Sequence, residues 1–219
     1  MLAAWPLRRT VSFAVYERGK ARYHLVATEL ERYLSGTLLD VGSRDDTLAV
    51  VSGKPCALLD KNNPALPPFD WEHNCLPYDD RSFDTVVCLD TLEHLNRPHE
   101  AFDDLLRVSR GNVIVSLPNC WRRAVIELVT AHGREPSYGL PLEQPKDSHH
   151  WFFSSEDALR FLVYRALRAP HGYEVACVRL HVPARRRWQR LIYPLLQRIL
   201  PRHFLNLLVR TVFVVLARR

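Results

Sequence analysis

The sequence predicts an α/β domain in which the strands of a mostly parallel sheet alternate with helices. Two observations carry this prediction. Short apolar runs recur along the first 120 residues, and stretches with helical spacing of apolar residues lie between them. The runs are continuously apolar, as expected of parallel strands that are buried on both faces. With 219 residues and 47% hydrophobic content, the chain is long enough for one well-buried domain and too short for two.

Each element follows from local signals. The first is a helix over residues 20–35, which ends at the Ser35-Gly36 stop. Residues 62–80 are rich in proline and polar residues, so they predict a long surface connection. The predicted strands occupy residues 38–41, 57–59, 85–89, 112–117, 173–182 and 211–216. Further helices are predicted over residues 47–52, 98–109, 122–131 and 155–164.

Polar residues stand where several of these strands end. They are Asp40 with Gly42, Asp60, Asp90 and Asn119. Ligands of open α/β sheets bind outside the carboxyl ends of the strands, so these residues predict a nucleotide crevice. Glycine at the bend lets the backbone approach a ligand closely, and an acid after the next strand can accept both hydroxyls of a ribose. Without further context, the glycine could be required only for the backbone conformation of the turn and not for binding a ligand.

The context of that turn adds a resemblance. It is carried by the segments LLDVGSRD (38–45), ALLD (57–60), LPYDDRSFDTVVCLDTLEHL (76–95), AFDDLLRVSRG (101–111) and NVIVSLPN (112–119). Together they resemble the class I S-adenosylmethionine-dependent methyltransferases of the type 11 small-molecule kind, over about residues 36–120. The resemblance implies a Rossmann-like, seven-stranded, mostly parallel sheet with helices on both faces. It also implies that S-adenosylmethionine binds along the carboxyl edge of the first four strands.

The resemblance assigns roles to individual residues. The implied cofactor-binding residues are Asp40, Gly42 and Ser43 around the methionine moiety, Asp60 at the ribose hydroxyls, Asn74 and Cys75 at the adenine, and Asp90 near the sulfonium. His94 lies near the implied substrate mouth. Asp90 can equally cap the turn that follows it, and a cap and a ligand role can coexist.

Three histidines are candidates for a general base: His94, His149 and His150. A histidine near neutral pKa can take a proton from an attacking hydroxyl or amine, and the aromatic residues after His150 can wall a substrate pocket. The alternative for His94 is a structural histidine, and for the pair a surface loop anchored by the aromatic residues. Methyl transfer to a good nucleophile needs little acid–base help, so alignment alone can supply much of the rate.

The sequence departs from the family pattern at Arg44, where a second glycine is usual. Its side chain either crowds the backbone approach or pairs with the carboxylate of the cofactor. Two functions therefore stay open. The first is an enzyme that methylates a small-molecule or lipid- or glycan-linked acceptor, and the second is a degenerate methyltransferase fold that serves as a binding or scaffold subunit.

Charge is concentrated in the last part of the chain. No acidic residue follows Glu174, whereas ten arginines do, and the first 174 residues carry 20 basic and 24 acidic groups. Residues 185–202 predict a basic amphipathic helix, kinked or restarted at Pro194, with an apolar stripe. The stripe comprises Trp188, Leu191, Ile192, Leu195, Leu196, Ile199 and Leu200. Such a helix either lies in an anionic membrane interface or packs on the core over the substrate opening. Nucleic acid is the third alternative as a partner of this basic segment, because the segment contains no recognised nucleic-acid-binding motif.

We expect a single methyltransferase domain over residues 1–219. Its segments are an N-terminal helical segment (1–35), a cofactor-binding core (36–120), a substrate-side region (121–184) and a basic segment with the last strand (185–219). Five scattered cysteines without a CxxC pair indicate neither a disulfide framework nor a zinc site, and we expect no metal. The N-terminal residues lack the apolar stretch of a secretory signal, so the expected location is the cytoplasm, with the inner membrane face as a peripheral site.

Overall fold

The computed structural model of the protein describes residues 9–16, 20–43, 45–60, 69–71, 73–130 and 151–219. Seven strands form one sheet: β1 (Arg9–Ser12), β2 (Leu38–Val41), β3 (Cys56–Leu59), β4 (Phe83–Leu89), β5 (Ser109–Pro118), β6 (Tyr173–His181) and β7 (Thr211–Arg218). Six helices accompany it: α1 (Ala21–Glu29), α2 (Thr47–Ser52), α3 (Pro98–Val108), α4 (Cys120–Thr130), α5 (Ser155–Arg168) and α6 (Arg187–Ile199). Shorter helical turns occupy Glu31–Tyr33, Leu92–His94, Pro201–His203 and Phe204–Leu208.

The strand order is β1-β6-β7-β5-β4-β2-β3. Every neighbouring pair is parallel except those of β7, which runs antiparallel to both β5 and β6. The carboxyl ends of the six parallel strands and the start of β7 therefore meet at one edge of the sheet, which we call the carboxyl edge. This architecture confirms the predicted seven-stranded, mostly parallel α/β sheet.

Strand β1 differs from the sequence prediction. Residues 9–12 were expected within an N-terminal helical segment, but they pair in parallel with β6 from Arg9–Val178 to Ser12–His181. The segment RTVS offers one apolar residue in four, which is too little for a periodic signal. β1 is therefore specified by its pairing with the edge of the sheet rather than by its own pattern.

Apolar layers cover both faces of the sheet, because the central strands each contain a continuous apolar run, at residues 86–89, 113–115 and 212–217. In β4, Val86 and Cys88 face the larger core beneath α3 and α5, whereas Val87 and Leu89 face the smaller core beneath α1. Phe102 of α3 is fully buried in the larger core. Burying one such side chain contributes about 1.5–3 kcal/mol, so the two layers together supply the main stabilisation of the sheet.

Helix α5 begins at the predicted signal. The Ser154 hydroxyl accepts a hydrogen bond from the Asp157 backbone N–H at 3.2 Å, and the Asp157 carboxylate accepts one from the Ser154 backbone N–H at 3.1 Å. This reciprocal capping box satisfies two backbone donors that would otherwise lack partners and stabilises the helix by about 1 kcal/mol. The helix continues to Arg168, beyond the predicted end at residue 164.

Helix α6 links the end of β6 to the helical turns that precede β7, so it lies at the carboxyl edge of the sheet. It runs through Pro194 as one continuous helix, and none of its residues is buried.

Within the described part of the chain, no helix combines the length and apolarity needed to cross a membrane. The same residues contain no group of three metal-ligating side chains close enough to hold an ion.

Arg107 fastens the loop before β4 to helix α3. Its guanidinium donates to the Asp104 carboxylate at 2.7 Å, to the Tyr78 carbonyl at 2.8 Å and to the Leu76 carbonyl at 3.0 Å. Asp104 is buried, and it also accepts a hydrogen bond from the Leu76 backbone N–H. This network holds the loop that leads into the central strand β4.

Replacing Arg107 should therefore destabilise the fold. We expect Arg107→Ala to lower the free energy of unfolding by about 3 kcal/mol, because it leaves the buried Asp104 carboxylate without its cation. Urea denaturation would measure this. Arg97→Ala is the matched control, since it removes a pair with Glu100 in which both side chains are exposed and should change stability little. Equal effects of the two substitutions would contradict the role given to Arg107.

Candidate cofactor and acceptor site

A cavity of about 380 Å³ opens at the carboxyl edge, beyond the ends of β2, β3 and β4. Residues from α1, the three strand ends and the loop before β4 surround it. They are Arg22, Tyr23, Val41, Gly42, Asp45, Thr47, Leu59, Asp60, Phe69, Trp71, Asp90, Thr91, His94 and Leu95. The cavity therefore lies where the sequence predicted a nucleotide crevice.

Gly42 shapes the floor of this cavity. Its φ is +81°, and a Cβ placed there would overlap the side chain of Thr91. Its backbone N–H donates to the Leu59 carbonyl at 2.7 Å, which ties the end of β2 to the end of β3. Glycine is needed here for a left-handed conformation and also for close approach to the segment after β4.

Asp40 lies beneath the glycine turn and is almost fully buried. Among the described residues, neither of its carboxylate oxygens has a hydrogen-bond partner. Burial raises the pKa of Asp40 to about 7. Buried polar groups are nearly always hydrogen-bonded, so this carboxylate is expected to find a partner such as a water. Asp40 itself is not among the residues that line the cavity.

Arg22 reaches the cavity from α1. Its Nη1 atom lies 3.7 Å from Oδ2 of Asp90, and its buried Nε atom has no hydrogen-bond partner within the described residues. Arg22 was not predicted from the sequence as a site residue, because a single arginine on a helix is typical of a solvated surface charge. Only the packing of α1 against the sheet brings it to the strand ends.

Two aromatic residues, Phe69 and Trp71, form another wall, with ring centroids 6.4 Å apart. The buried Nε1–H of Trp71 also lacks a partner in the described structure. Both residues lie in the stretch predicted as a surface connection. Two aromatic residues within a polar segment are a sequence signal for a binding wall, but neither residue was predicted to belong to the site.

Asp60 and Asp90 stand where the sequence placed them, directly after β3 and β4, and both line the cavity. Asp90 has a φ of +49°. Ser116 of the neighbouring strand fixes it, because the Ser116 hydroxyl donates to the Asp90 carboxylate at 2.6 Å and the Ser116 carbonyl accepts from the Asp90 backbone N–H. Aspartate tolerates this left-handed conformation better than most residues.

The three histidines predicted as candidate bases differ in whether the structure describes them. His94 lies in the turn after Asp90 and lines the cavity, with its Nε2 atom 3.9 Å from a carboxylate oxygen of Glu93. His149 and His150 lie outside the described residues, and so does Arg44. Of the three candidate bases, the structure therefore describes one, and it places that one at the cavity.

The remaining predicted residues do not line the cavity. Asn74 and Cys75 are exposed, and the Asn74 amide donates to the Asp70 carbonyl. Ser43 is buried, where its hydroxyl donates to the Asp45 carbonyl at 2.7 Å and lies 3.1 Å from the Tyr23 hydroxyl. Their assignment to the cofactor stays a prediction. Asn119 supports the chain instead, since its amide donates to the carbonyls of Asn206 and Val209 at 2.8 Å.

A second, smaller pocket of about 180 Å³ lies on the other side of the Leu92–His94 turn. Its lining is mostly apolar and aromatic. It comprises Leu92, Glu93, Pro98, His99, Leu117, Trp151, Phe153, Asp157, Ala158 and Phe161. One short turn thus contributes His94 to the cavity and Glu93 to this pocket.

The sheet order and the cavity at the ends of β2, β3 and β4 define the class of protein: this is the class I S-adenosylmethionine-dependent methyltransferase fold. A methyltransferase of this kind from Thermotoga maritima has a TM-score of 0.53 at 15% identity, over 93% of this chain and 95% of that one. One from Archaeoglobus fulgidus has a TM-score of 0.54 at 15% identity, over 90% and 94%. The magnesium protoporphyrin IX methyltransferase of Synechocystis, solved with bound S-adenosylhomocysteine, has a TM-score of 0.50 at 13% identity, over 94% and 90%.

The chain belongs to the family described as methionine biosynthesis protein MetW, whose sequence model matches residues 68–193, more than half of the chain. The matched stretch begins after the glycine turn and includes β4, β5 and β6. No curated protein matches the sequence significantly. Family membership thus rests on the chain from the loop before β4 into helix α6.

The glycine turn yields a first test at this site. We expect Gly42→Ala to lower the free energy of unfolding by roughly 2–4 kcal/mol, because it adds a clash with Thr91 to the strain of a positive φ. Gly53→Ala is the matched control: Gly53 also has a positive φ, of +67°, but nothing lies within 4 Å of an added Cβ. Chemical denaturation compares the two. Equal losses would show that close approach at Gly42 contributes nothing.

The buried Asp40 yields a pH test. Its folded pKa of about 7 exceeds the unfolded value of about 4, so the folded protein binds the extra proton between these pH values. Stability should therefore fall as the pH rises from about 4 to about 7, by roughly 2–4 kcal/mol for this group. Asp40→Asn cannot titrate and should lack that component. Urea denaturation of both proteins without cofactor at pH 5, 6, 7 and 8 measures the difference, and parallel pH profiles would refute it.

Proposed function

We propose that the protein binds S-adenosylmethionine in the cavity at the carboxyl edge and transfers the methyl group to an acceptor. The observation that carries this proposal is a pair of buried polar atoms on the wall of one cavity that have no partner in the described structure, Nε of Arg22 and Nε1 of Trp71. Leaving such groups unsatisfied costs about 1–3 kcal/mol each, so they are expected to face a polar ligand. The Synechocystis methyltransferase of the same fold, solved with S-adenosylhomocysteine, supports the choice of ligand.

The residues present fit that ligand. Asp60 follows β3 and offers carboxylate oxygens to ribose hydroxyls, whereas the Arg22 guanidinium matches an amino-acid carboxylate. Gly42 keeps the floor free of a side chain, and Phe69 and Trp71 offer apolar ring surfaces to a planar base.

When bound, S-adenosylmethionine supplies a methyl group that a nucleophile can accept directly. The protein then has to align the acceptor, exclude water and receive a proton where the acceptor is a hydroxyl or amine. His94 is the candidate for the proton, since its imidazole lines the cavity next to Thr91 and Leu95. Asp90, held by Ser116, lies at the same mouth.

The apolar pocket behind the Leu92–His94 turn is the proposed acceptor side. Trp151, Phe153 and Phe161 provide aromatic surface there, and Glu93 provides a carboxylate. Such a lining suits an acceptor with an apolar portion, which includes the small-molecule and the lipid- or glycan-linked compounds expected from the sequence.

A non-catalytic binding function is the second candidate. It is favoured by one feature, Arg44, which replaces a glycine usual at the cofactor turn of the resembling family. In that case the fold would persist without cofactor affinity. Binding of S-adenosylmethionine separates the two functions, because only the enzyme requires it.

The test is isothermal titration with S-adenosylmethionine and with S-adenosylhomocysteine. We expect wild-type dissociation constants in the micromolar range and at least about tenfold weaker binding by Asp60→Ala, since one charged hydrogen-bond acceptor is lost. Asp79→Ala is the matched control, because Asp79 is exposed and does not line the cavity.

Three results would each contradict one part of this proposal. Absence of binding by the folded wild type would favour the scaffold function. Unchanged affinity of Asp60→Ala would refute the ribose assignment. Equal weakening by Asp79→Ala would show that the effect of Asp60 is general electrostatics and not a contact.

A further inference from the structure

Helix α6 presents its apolar stripe to solvent. Trp188, Leu191, Ile192, Leu195 and Ile199 are all exposed, with Leu191 at 78% and Ile199 at 62%. Amphipathic helices of globular proteins normally turn this stripe toward the core. Here the helix carries the sequence pattern of a core helix and leaves most of that pattern uncovered.

The side of α6 that packs on the core lies at one margin of the stripe and shares Leu196 with it. Only Tyr193 and Leu196 of α6 are partly buried against the larger core, where Tyr193 contacts Phe13 and Phe204 at ring-centroid distances of 6.2 and 6.3 Å. At about 100° per residue, the centre of this packed side lies roughly 110° around the helix from the centre of the five exposed stripe residues. The helix is thus anchored along one side while a second apolar side remains available.

Cations accompany the stripe. Arg185, Arg186, Arg187, Arg190 and Arg198 are exposed on or just before α6, and among the described residues none of them forms an ion pair with an acidic side chain. Arg202 pairs with Glu156 of α5. With no acidic residue after Glu174, this surface is positively charged.

A second helix extends the surface. Helix α4 begins directly after β5 at the carboxyl edge, and both α4 and α6 pack against the Phe204–Leu208 turn. On α4, Trp121, Ile126 and Leu128 are exposed. The two helices therefore place apolar side chains at the same edge of the sheet as the cavity.

We propose that α6, with α4 beside it, docks on the surface of an anionic lipid bilayer. The stripe would enter the acyl boundary while the arginines contact lipid phosphates. This occupant matches both properties of the surface. Nucleic acid would satisfy the arginines but leave the stripe in water, and a second copy would cover the stripe but bring like charges together.

Docking in this way has a consequence for the acceptor. α6 lies at the β6 and β7 side of the carboxyl edge and the cavity lies beyond β2, β3 and β4, so a bilayer bound to α6 would face the edge that carries the site proposed for methyl transfer. An acceptor held in the membrane by a lipid could then reach the protein without leaving the bilayer. This consequence rests on the proposed function, whereas the docking itself does not.

Vesicle sedimentation tests the docking. We expect the protein to bind vesicles of equal parts phosphatidylglycerol and phosphatidylcholine at least about tenfold more tightly than vesicles of phosphatidylcholine alone, and less tightly as salt is raised. Leu191→Glu/Leu195→Glu should lose at least about tenfold in affinity, because two stripe residues become anionic. Arg187→Gln/Arg190→Gln/Arg198→Gln should also lose about tenfold or more.

The matched control is Val50→Glu/Leu167→Glu, which adds the same charge at exposed apolar positions of α2 and α5. It should bind vesicles as the wild type does, and so should Asp60→Ala, which keeps this test independent of cofactor binding. Circular dichroism and thermal melting confirm that each variant is folded.

Several outcomes would overturn the proposal. One is a folded wild type that does not sediment with anionic vesicles. Another is an equal loss in the control variant. A dimer in analytical ultracentrifugation that only Leu191→Glu/Leu195→Glu dissociates, without vesicle binding, would assign the surface to a second copy. Tight binding of single-stranded RNA without vesicle binding would assign it to nucleic acid.

Discussion

The close approach between Gly42 and Thr91 is the constraint on which the site depends. It brings the end of β2 against the segment that follows β4, and the hydrogen bond from Gly42 to Leu59 adds the end of β3. The ends of β2 and β3 and the segment after β4 are thereby held at fixed distances from one another, by backbone contacts and not by long side chains.

A protein that keeps polar atoms unsatisfied around an open cavity is less stable than the same fold with an apolar filling. Arg22 and Trp71 are in this state within the described structure. The two helix-covered faces of the sheet offset that cost, since the central strands are buried on both sides. Stability and ligand recognition are thus assigned to different parts of the molecule, the interior of the sheet and its carboxyl edge.

Much of this organisation could be predicted from the sequence. Six strands were predicted close to their observed positions because a parallel strand buried on both faces is a continuous apolar run, as in residues 85–89. Strand β1 was missed because four residues with one apolar side chain carry no period. Asp60, Asp90 and His94 could be placed at the edge because they follow strands directly. Arg22 and Trp71 could not, because their approach depends on how α1 and a distant loop pack.

The pattern of α6 predicted an amphipathic helix. Which face of that helix is covered depends on the contacts that Tyr193 makes with the core, and no local pattern in the sequence encodes those contacts.

The position of β7 has a consequence for how the protein is made. This strand is inserted between β5 and β6, so the middle of the sheet is completed by residues 211–218, far along the chain. During synthesis, β5 and β6 emerge from the ribosome before the strand that separates them exists. Their unpaired edges then have to be kept from pairing with each other or with other chains, because open edges of apolar strands aggregate. Helix α6 also emerges before β7, so its apolar stripe is accessible in the nascent chain while the sheet beside it is still open.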